Sequence, residues 1–199
     1  MTKVDFVGGT LAWRRRHGGG RGQAVARAIG LKKGAAPPRV LDCTAGLGRD
    51  AFLLATLGCI VLALERNSVL AVNLDSALAA ANRDAETASA LDGRLSFRHA
   101  DSLESLAAVV AEFAPDVIYL DPMHPPRRKS ALVKQELREL RELVGNDSDS
   151  AELAALALEM SVPRVVIKRP AGSVELCPGV NHAHQGRTTR FDIYLRPED

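Results

Sequence analysis

The sequence predicts an α/β fold in which a mostly parallel sheet is flanked by helices and closed by a C-terminal antiparallel hairpin. Short runs rich in Val, Ile and Leu alternate with longer segments of helical period, as expected of strands buried on both sheet faces. The long crossovers between these runs are those that parallel strands require. The last apolar run instead alternates apolar with polar residues, which indicates an antiparallel strand.

The chain length predicts one domain over residues 1–199, made of a basic, glycine-rich segment with a helix (1–36) and an α/β core (37–199). A hydrophobic fraction of 46% and a charged fraction of 25% are ordinary for a soluble globular protein. The net charge of +2 permits a polyanionic partner without requiring one.

The three cysteines are odd in number and lack metal-ligand spacing, which favours unpaired thiols in a reducing compartment. Cys177 with His182 and His184 could form a metal site, but no second cysteine pair supports it, so no metal is expected. No signal peptide is visible, and the longest uncharged run, 51–64, is shorter than the roughly 20 residues of a membrane span. We therefore expect a cytoplasmic protein that does not contact a membrane.

The predicted parallel strands are, in chain order, RVLDC, CIVLALE, LSFRHAD, DVIYLDP and RVVIKRP. The final strand lies in TTRFDIYLRPED, where Phe191, Ile193 and Leu195 recur at every second position. Its hairpin partner is predicted near 174–180, because no helical pattern separates the two segments.

Three apolar stripes at helical spacing predict helices between the strands. The first follows Asn67, a suitable N-cap, and the third follows the polar segment GNDSDS. The stripes consist of Leu70, Leu74, Leu78 and Ala81; of Val133, Leu137, Leu140 and Val144; and of Leu153, Leu156 and Met160.

The segment VLDCTAGLGRDA predicts a ligand-binding loop between the first strand and a helix. Gly46 and Gly48 allow a tight turn and close approach of a ligand, and the helix start offers N–H groups. Asp42 could face the cationic end of a ligand. Many strand-to-helix turns contain two glycines and bind nothing, but the added charged residues Arg49 and Asp50 favour a functional loop.

The carboxylate of Glu65, at the end of the second strand, could accept hydrogen bonds from ribose hydroxyls of an adenosine-containing cofactor. Gly46, Gly48 and Ala51 satisfy the GxGxxG/A pattern, a weak signal that fits both NAD and S-adenosylmethionine. A dehydrogenase normally adds a sizeable substrate domain, for which this sequence has no room. An NAD-dependent enzyme is therefore the least favoured of these readings.

The loop DPMHP follows the fourth predicted strand, so it should lie at the carboxyl edge of the sheet beside the glycine loop. Its prolines hold the backbone extended and remove N–H donors. Asp121 and the Pro122 carbonyl would then form a paired acceptor for an exocyclic amino group. A proline-rich loop that only terminates a strand is the alternative.

DPMHP resembles the Asp/Asn-Pro-Pro-aromatic motif of methyltransferases that act on amino groups of bases. The blocks VDFVGG, RRRHGGGRGQAVARA, DCTAGLGRDAF, LERN, KSALVKQE, VVIKRP and RFDIY, taken with it, resemble the bacterial small-subunit ribosomal RNA (guanine-N2)-methyltransferase J family, in order over nearly the whole chain. The resemblance implies a Rossmann-like class I S-adenosylmethionine fold, methylation of the 2-amino group of a guanosine, and 16S ribosomal RNA or the small ribosomal subunit as the partner.

Cofactor contacts implied by the resemblance fall at the ends of successive strands. Asp101 could accept from the adenine amine or could cap the following helix, for which Ser102 would serve equally well. The sequence departs from the family pattern at His124, where Phe is usual, and in its short segment before VDFVGG. The implied cofactor contacts are Arg49, Asp50, Glu65, Arg66, Asp101, Ser102 and Asp121, to which the loop analysis adds Asp42, Gly46 and Gly48.

Three cationic clusters favour RNA over a small substrate, since topology would bring them to one sheet edge. One is a flexible segment beside Trp13, the second follows DPMHP, and the third ends the fifth strand. A solvated basic arm is the alternative for the first. The predicted RNA-binding residues are Arg14, Arg15, Arg16, Arg21, Arg127, Arg128, Lys129, Lys168 and Arg169.

In the predicted mechanism, Asp121, Pro122 and His124 act on the target base. A carboxylate with an ordinary pKa of about 4 cannot deprotonate the guanine amine in advance. Asp121 would instead accept a hydrogen bond from the amine and take its proton as the N–C bond forms. Same-fold transfer to adenine N6 or to a protein amide remains open from the loop alone, as does a non-catalytic RNA-binding module.

Overall fold

The computed structural model describes residues 4–122 and 149–196, and the fold is given for these ranges. Each predicted apolar run that falls within them forms a strand. The strands are β1 (Arg39–Asp42), β2 (Ile60–Glu65), β3 (Leu95–His99), β4 (Val117–Leu120), β5 (Arg164–Pro170), β6 (His182–Gln185) and β7 (Thr189–Leu195). The helices are α1 (Gly9–His17), α2 (Ala24–Ala28), α3 (Arg49–Thr56), α4 (Ser68–Arg83), α5 (Ala85–Leu91), α6 (Ser102–Phe113) and α7 (Ser150–Glu159), with a 3₁₀ turn at Gly20–Gly22.

The strands of the described ranges form one sheet in the order β3-β2-β1-β4-β5-β7-β6. Strands β1 to β5 are parallel, and β7 pairs antiparallel with β5 on one side and β6 on the other. The predicted fold class is therefore confirmed. After β1, the chain adds β2 and β3 on one side of β1, and then β4 and β5 on the other side. This reversal creates a crevice at the carboxyl ends of β1 and β4, where open α/β sheets bind ligands.

Apolar side chains cover both faces of the sheet. One face is packed by α1 to α5, and the rings of Phe6, Phe52 and Phe97 stack there, with centroids 4.9 Å apart for Phe6–Phe52 and 5.9 Å for Phe6–Phe97. The other face is packed by α6 and α7, through residues such as Leu106 and Leu153. Because Phe6 lies near the start of the chain, the N-terminal segment contributes directly to the core beneath the glycine loop.

Two of the three predicted helical stripes fall within the described residues. Helix α4 carries the first stripe, and the Asn67 side chain caps it by accepting hydrogen bonds from Val69 N (3.0 Å) and Leu70 N (3.1 Å). Helix α7 carries the third and ends just before Met160. The stripe over 133–144 lies outside the described residues. None of the helices described is long and apolar enough to cross a membrane.

The predicted position of the hairpin's first strand is wrong. Residues 174–180 form bends and irregular backbone, and the strand that pairs with β7 is His182–Gln185. Val174 is 87% exposed, so its apolar side chain does not mark a buried strand. Pro178 cannot donate to a strand ladder, and Gly179 adopts φ +90°, a value that interrupts extended backbone.

Candidate active site

The loop between β1 and α3 is held by backbone hydrogen bonds to its neighbours. Ala45 N donates to Leu64 O (2.9 Å), and Gly46 N donates to Glu65 Oε2 (2.8 Å). Gly48 adopts φ +64°, and a Cβ there would lie 2.8 Å from a methyl group of Leu74. Gly46 adopts φ +54°, and a Cβ there would meet only one atom within 4 Å, the Thr44 carbonyl oxygen at 3.9 Å. Gly48 therefore permits core packing, whereas Gly46 borders open space that a ligand can approach.

Asp121 follows β4 and lies beside this loop. Its backbone N donates to Thr44 Oγ1 (2.6 Å), and its carboxylate Oδ2 accepts from Lys168 Nζ (2.6 Å). The same Nζ donates to Asp50 Oδ2 (2.6 Å), in the first turn of α3. The structure therefore brings the acidic end of β4 and the glycine loop together, as strand-end topology predicted.

Asp50 is contacted by Lys168, Tyr119 and Arg14. Tyr119 donates its hydroxyl hydrogen to Asp50 Oδ2 (2.8 Å), and Arg14 Nη1 lies 3.6 Å from Asp50 Oδ1. Burial by itself raises the pKa of Asp50, but the charge and hydrogen bond of Lys168 outweigh it, so the pKa is lowered. Asp50 is consequently a buried carboxylate held in its charged form.

Asp42 differs from Asp50 because no cation among the described residues contacts it directly. It is 2% exposed, and its Oδ1 accepts from Thr44 N (3.0 Å). Burial, reinforced by the charges of Asp50 and Asp121, raises the pKa of Asp42 to about 7, although the Thr44 hydrogen bond and Lys168 oppose the shift. Near neutral pH this group can therefore exchange a proton or accept a nearby cation.

Glu65 and Asp101 lie at the ends of β2 and β3 and already accept backbone hydrogen bonds. Glu65 binds Gly46 N through Oε2 and Asn67 N through Oε1, each at 2.8 Å. Asp101 caps α6 by accepting from Leu103 N (2.9 Å). Both acids are therefore held by backbone hydrogen bonds at the edge of the sheet that carries the glycine loop.

Ser102 and Arg66 complete this edge of the sheet. The expectation that Ser102 could cap α6 is wrong, because its Oγ is buried and donates to Cys43 O (2.7 Å). Arg66 pairs with Asp149 (2.5 Å) and lies 4.0 Å from Asp101. Arg66 therefore links the end of β2 to the start of α7.

The basic N-terminal segment, which was expected to be a flexible arm, is helical over Gly9–His17. This helix is α1. Arg15 Nη2 lies 2.9 Å from Glu86 Oε1, and Arg16 forms a closer ion pair with the same carboxylate. Trp13 is 61% exposed and stacks on His17, with ring centroids 5.4 Å apart. Arg14, Arg15 and Arg16 therefore lie on a helix, and the side chain of Arg15, a predicted RNA contact, is only 11% exposed and so is not presented to RNA.

The remaining predicted RNA contacts have different positions. Arg21 donates to the Lys32 carbonyl (2.8 Å) near the surface. Arg169 is 4% exposed and pairs with buried Asp192, so the structure does not place it on a surface that RNA could reach. Lys168 is engaged by the two site carboxylates. His124, Arg127, Arg128 and Lys129 lie outside the described residues.

Sequence reasoning missed three contributors to the site: Tyr119, the Arg14–Asp50 contact and the carboxylate partners of Lys168. Tyr119 gave one usable signal, since a hydroxyl in a fully buried strand needs a partner. The Lys168 contacts depend on the spacing of β4 and β5, which no local pattern specifies. No group of three or more metal-ligating side chains occurs within 4–122 and 149–196.

The sequence of this chain is similar to those of known methyltransferases. A model of the SAM-dependent methyltransferase family matches residues 1–196. The ribosomal RNA small subunit methyltransferase J of Yersinia enterocolitica is 52% identical over 193 residues, which cover 96% of this chain and 75% of that protein. The protein of the same name from Photobacterium profundum is 49% identical over 197 residues, with 97% and 77% covered.

Two solved structures agree with the fold. A SAM-dependent methyltransferase from Neisseria gonorrhoeae has a TM-score of 0.75 at 31% identity, and the match covers 98% of this chain and 74% of that one. An RNA methyltransferase from Salinibacter ruber, solved with S-adenosyl-L-homocysteine, has a TM-score of 0.55 at 17% identity over 88% and 91% of the two chains, and so shares the fold.

These matches confirm the resemblance found in the sequence and identify S-adenosyl-L-methionine as the cofactor. The residues present fit it, because Gly46 borders open space and three acids, Asp42, Glu65 and Asp101, end adjacent parallel strands around that space. Since the family model spans almost the whole sequence and relatives share about half of its residues, this chain belongs to the ribosomal RNA small subunit methyltransferase J family of SAM-dependent methyltransferases.

Proposed function

We propose that this protein methylates the exocyclic N2 amine of a guanosine in 16S ribosomal RNA, either free or in the small ribosomal subunit. The observation that carries the proposal is the position of the Asp121 carboxylate. The Asp121 backbone N donates to Thr44 Oγ1 of the glycine loop (2.6 Å), and the Asp121 carboxylate is linked to Asp50 through Lys168. An acceptor for an amino group and a cofactor loop thus share one crevice. The ribosomal RNA substrate is inferred from the names of the relatives, which are ribosomal RNA small subunit methyltransferases.

The cofactor, when bound, supplies an electrophilic methyl group on its sulfonium centre. The acids at the strand ends are proposed to hold its polar groups: Asp42 or Asp50 the ammonium, Glu65 the ribose, and Asp101 the adenine amine. The cationic and small residues proposed to complete the site are Gly46, Gly48, Arg49, Arg66 and Ser102. The buried, ionised Asp50 fits the ammonium role because charge pairing is strongest where water is excluded.

Asp121 is proposed to bind the target amine. Guanine N2 is a weak nucleophile because its lone pair is delocalised into the ring. A carboxylate that accepts a hydrogen bond from this amine makes the nitrogen more nucleophilic and takes its proton as the new bond forms. The Pro122 carbonyl is the proposed second acceptor, and His124 the proposed contact to the base. Most of the rate acceleration would come from fixed orientation of the reacting groups.

The proposed RNA surface includes the ordered face of α1. Arg14 lies 3.6 Å from Asp50, which places this helix next to the cofactor crevice. The exposed Trp13 ring offers a stacking surface for an unpaired base, and Arg14 and Arg16, whose side chains are 36% and 50% exposed, offer charge to phosphates. Arg127, Arg128 and Lys129 are proposed to extend it. Because A-form helices hide base edges, the guanosine must be unpaired or flipped out.

The direct test uses S-adenosylmethionine carrying a labelled methyl group, with naked 16S ribosomal RNA and with assembled small subunits. Nucleoside analysis of the products is expected to place the label in N2-methylguanosine. Label in N6-methyladenosine, or in protein, would overturn the proposal in favour of another amino acceptor. RNA binding without any transfer would instead indicate a non-catalytic RNA-binding module.

A further inference from the structure

Lys168 occupies an unusual position for a cation near an RNA-binding surface. It lies on β5, and its side chain is only 25% exposed. Its Nζ is 2.6 Å from Asp50 Oδ2 and 2.6 Å from Asp121 Oδ2. Two of its three N–H donors are thus used within the protein, by carboxylates on different elements.

The two carboxylates belong to different halves of the site. Asp50 is in the first turn of α3, directly after the glycine loop, and Asp121 follows β4. Without a cation between them, two negative charges would face each other in a partly dehydrated crevice, and repulsion would drive the side chains apart. Lys168 therefore determines how closely these groups can approach.

Lys168 remains protonated in this environment. Burial by itself lowers the pKa of the ammonium group, but the negative charges of Asp121 and Asp50 outweigh burial and raise it. Asp50 has further donors in Tyr119 (2.8 Å) and, at longer range, Arg14 (3.6 Å). These additional contacts hold the Asp50 end of the bridge, so the Lys168 ammonium can orient the Asp121 carboxylate from a fixed point.

We propose that Lys168 is a positioning residue for methyl transfer, whose ammonium bridges the cofactor-side carboxylate Asp50 and the base-side carboxylate Asp121. The inference rests on the proposed function and deepens it. It replaces the RNA-phosphate contact expected from the sequence, because an ammonium engaged by two carboxylates is not presented to the backbone of a nucleic acid. The bridge fixes the acceptor oxygen of Asp121 relative to the cofactor loop before RNA binds.

The test compares Lys168→Met and Lys168→Arg with the wild-type protein. The single-turnover rate is measured at saturating RNA and cofactor, and the Kd for RNA is measured at several salt concentrations. Lys168→Met is expected to slow the single turnover about 10- to 100-fold, as small losses of alignment do. The RNA Kd and its salt dependence should not change. Lys168→Arg should recover part of the rate, because it retains the charge.

Lys33→Met is the matched control, since it removes one positive charge from an exposed position remote in sequence from the site. If Lys168→Met weakens RNA binding, reduces the salt slope by about one and leaves the saturated rate unchanged, Lys168 is a phosphate contact and the inference is wrong. A saturated rate equal to wild type with unchanged RNA binding also refutes it.

Thermal unfolding establishes that each variant is folded before its rate is interpreted. If Lys168→Met does not fold, Lys168→Gln, which retains a hydrogen-bond donor but no charge, is measured in the same way and decides the question. The proposed function fails separately: wild-type protein that methylates no guanosine N2 overturns the assigned reaction. An active wild type with an equally active Lys168→Met overturns only the role of Lys168.

Discussion

The buried carboxylate of Asp42 predicts a specific pH dependence of stability. Asp42 is 2% exposed at the end of β1, and the pKa of its carboxyl group is about 7, raised first by burial and then by the charges of Asp50 and Asp121. In the unfolded chain an aspartate has a pKa of about 4. The folded state therefore binds a proton more tightly than the unfolded state between these two pH values.

The sign and size of the effect follow from linkage. A raised pKa in the folded state means that the stabilisation is fully present below pH 4 and is lost as the pH rises to about 7. Each pH unit in this window costs about 1.4 kcal/mol. In Asp42→Asn this titration is absent, and the amide oxygen can still accept from Thr44 N. The free energy of unfolding of the variant, relative to wild type, should therefore rise by about 2 kcal/mol between pH 5.5 and 8.

Urea unfolding of both proteins at several values between pH 5.5 and 8 measures this difference directly, provided that the m-values stay equal. Asp75→Asn, which removes an exposed carboxylate of α4, is the matched control. A constant difference for Asp42→Asn, or one that falls as the pH rises, would show that Asp42 is not a buried acid of high pKa and would refute the described electrostatics of the crevice.

Three further predictions test the surrounding structure by urea unfolding. Gly48→Ala should cost about 2–4 kcal/mol, because its added methyl group would lie 2.8 Å from a leucine side chain, whereas Gly46→Ala should cost only about 1 kcal/mol of backbone strain. Asn67→Ala should cost about 1 kcal/mol, since the cap of α4 is lost. Arg169→Met should cost about 1–3 kcal/mol, because buried Asp192 loses its contact with Arg169 and keeps only that with Arg190 (2.6 Å), yet the RNA affinity of the folded fraction should be unchanged.

Equal costs for the two glycine variants would contradict the assignment of Gly48 to packing and Gly46 to the open side of the loop. An unaffected stability in Asn67→Ala would show that the cap hydrogen bonds to Val69 and Leu70 do not contribute. A loss of RNA affinity in Arg169→Met, with stability unchanged, would restore the RNA role expected from the sequence.

The parts of the fold that were predictable are those encoded by local patterns. Buried parallel strands are apolar on both faces, so the runs at β1, β2, β4 and β5 were visible, and Asn67 sits directly before a helical stripe. The strand near 174–180 was misplaced because Val174 and Val180 are apolar without being in the sheet. The helical form of 9–17 was missed because three consecutive arginines and the glycines on either side of them dominate the local composition.

The candidate site was predictable as far as strand ends determine it. Asp42, Glu65, Asp101 and Asp121 each terminate or follow a parallel strand, so one crevice could be inferred from spacing alone. The partners of Lys168 could not be inferred in this way. A lysine followed by an arginine at a strand end gives the same sequence pattern whether the lysine charge faces solvent or buried acids. Pairing of β5 beside β4 decides that, and pairing is a long-range property.

The central claim is that the Asp121 carboxylate acts on the amine of the target base within reach of the bound cofactor. Asp121→Ala tests it most directly when methyl transfer in a single turnover and cofactor affinity by calorimetry are measured on one preparation. Transfer should fall by at least about 100-fold, and the cofactor Kd should change by no more than about threefold. Retained transfer, or a loss of cofactor binding large enough to account for the lost activity, would contradict the claim.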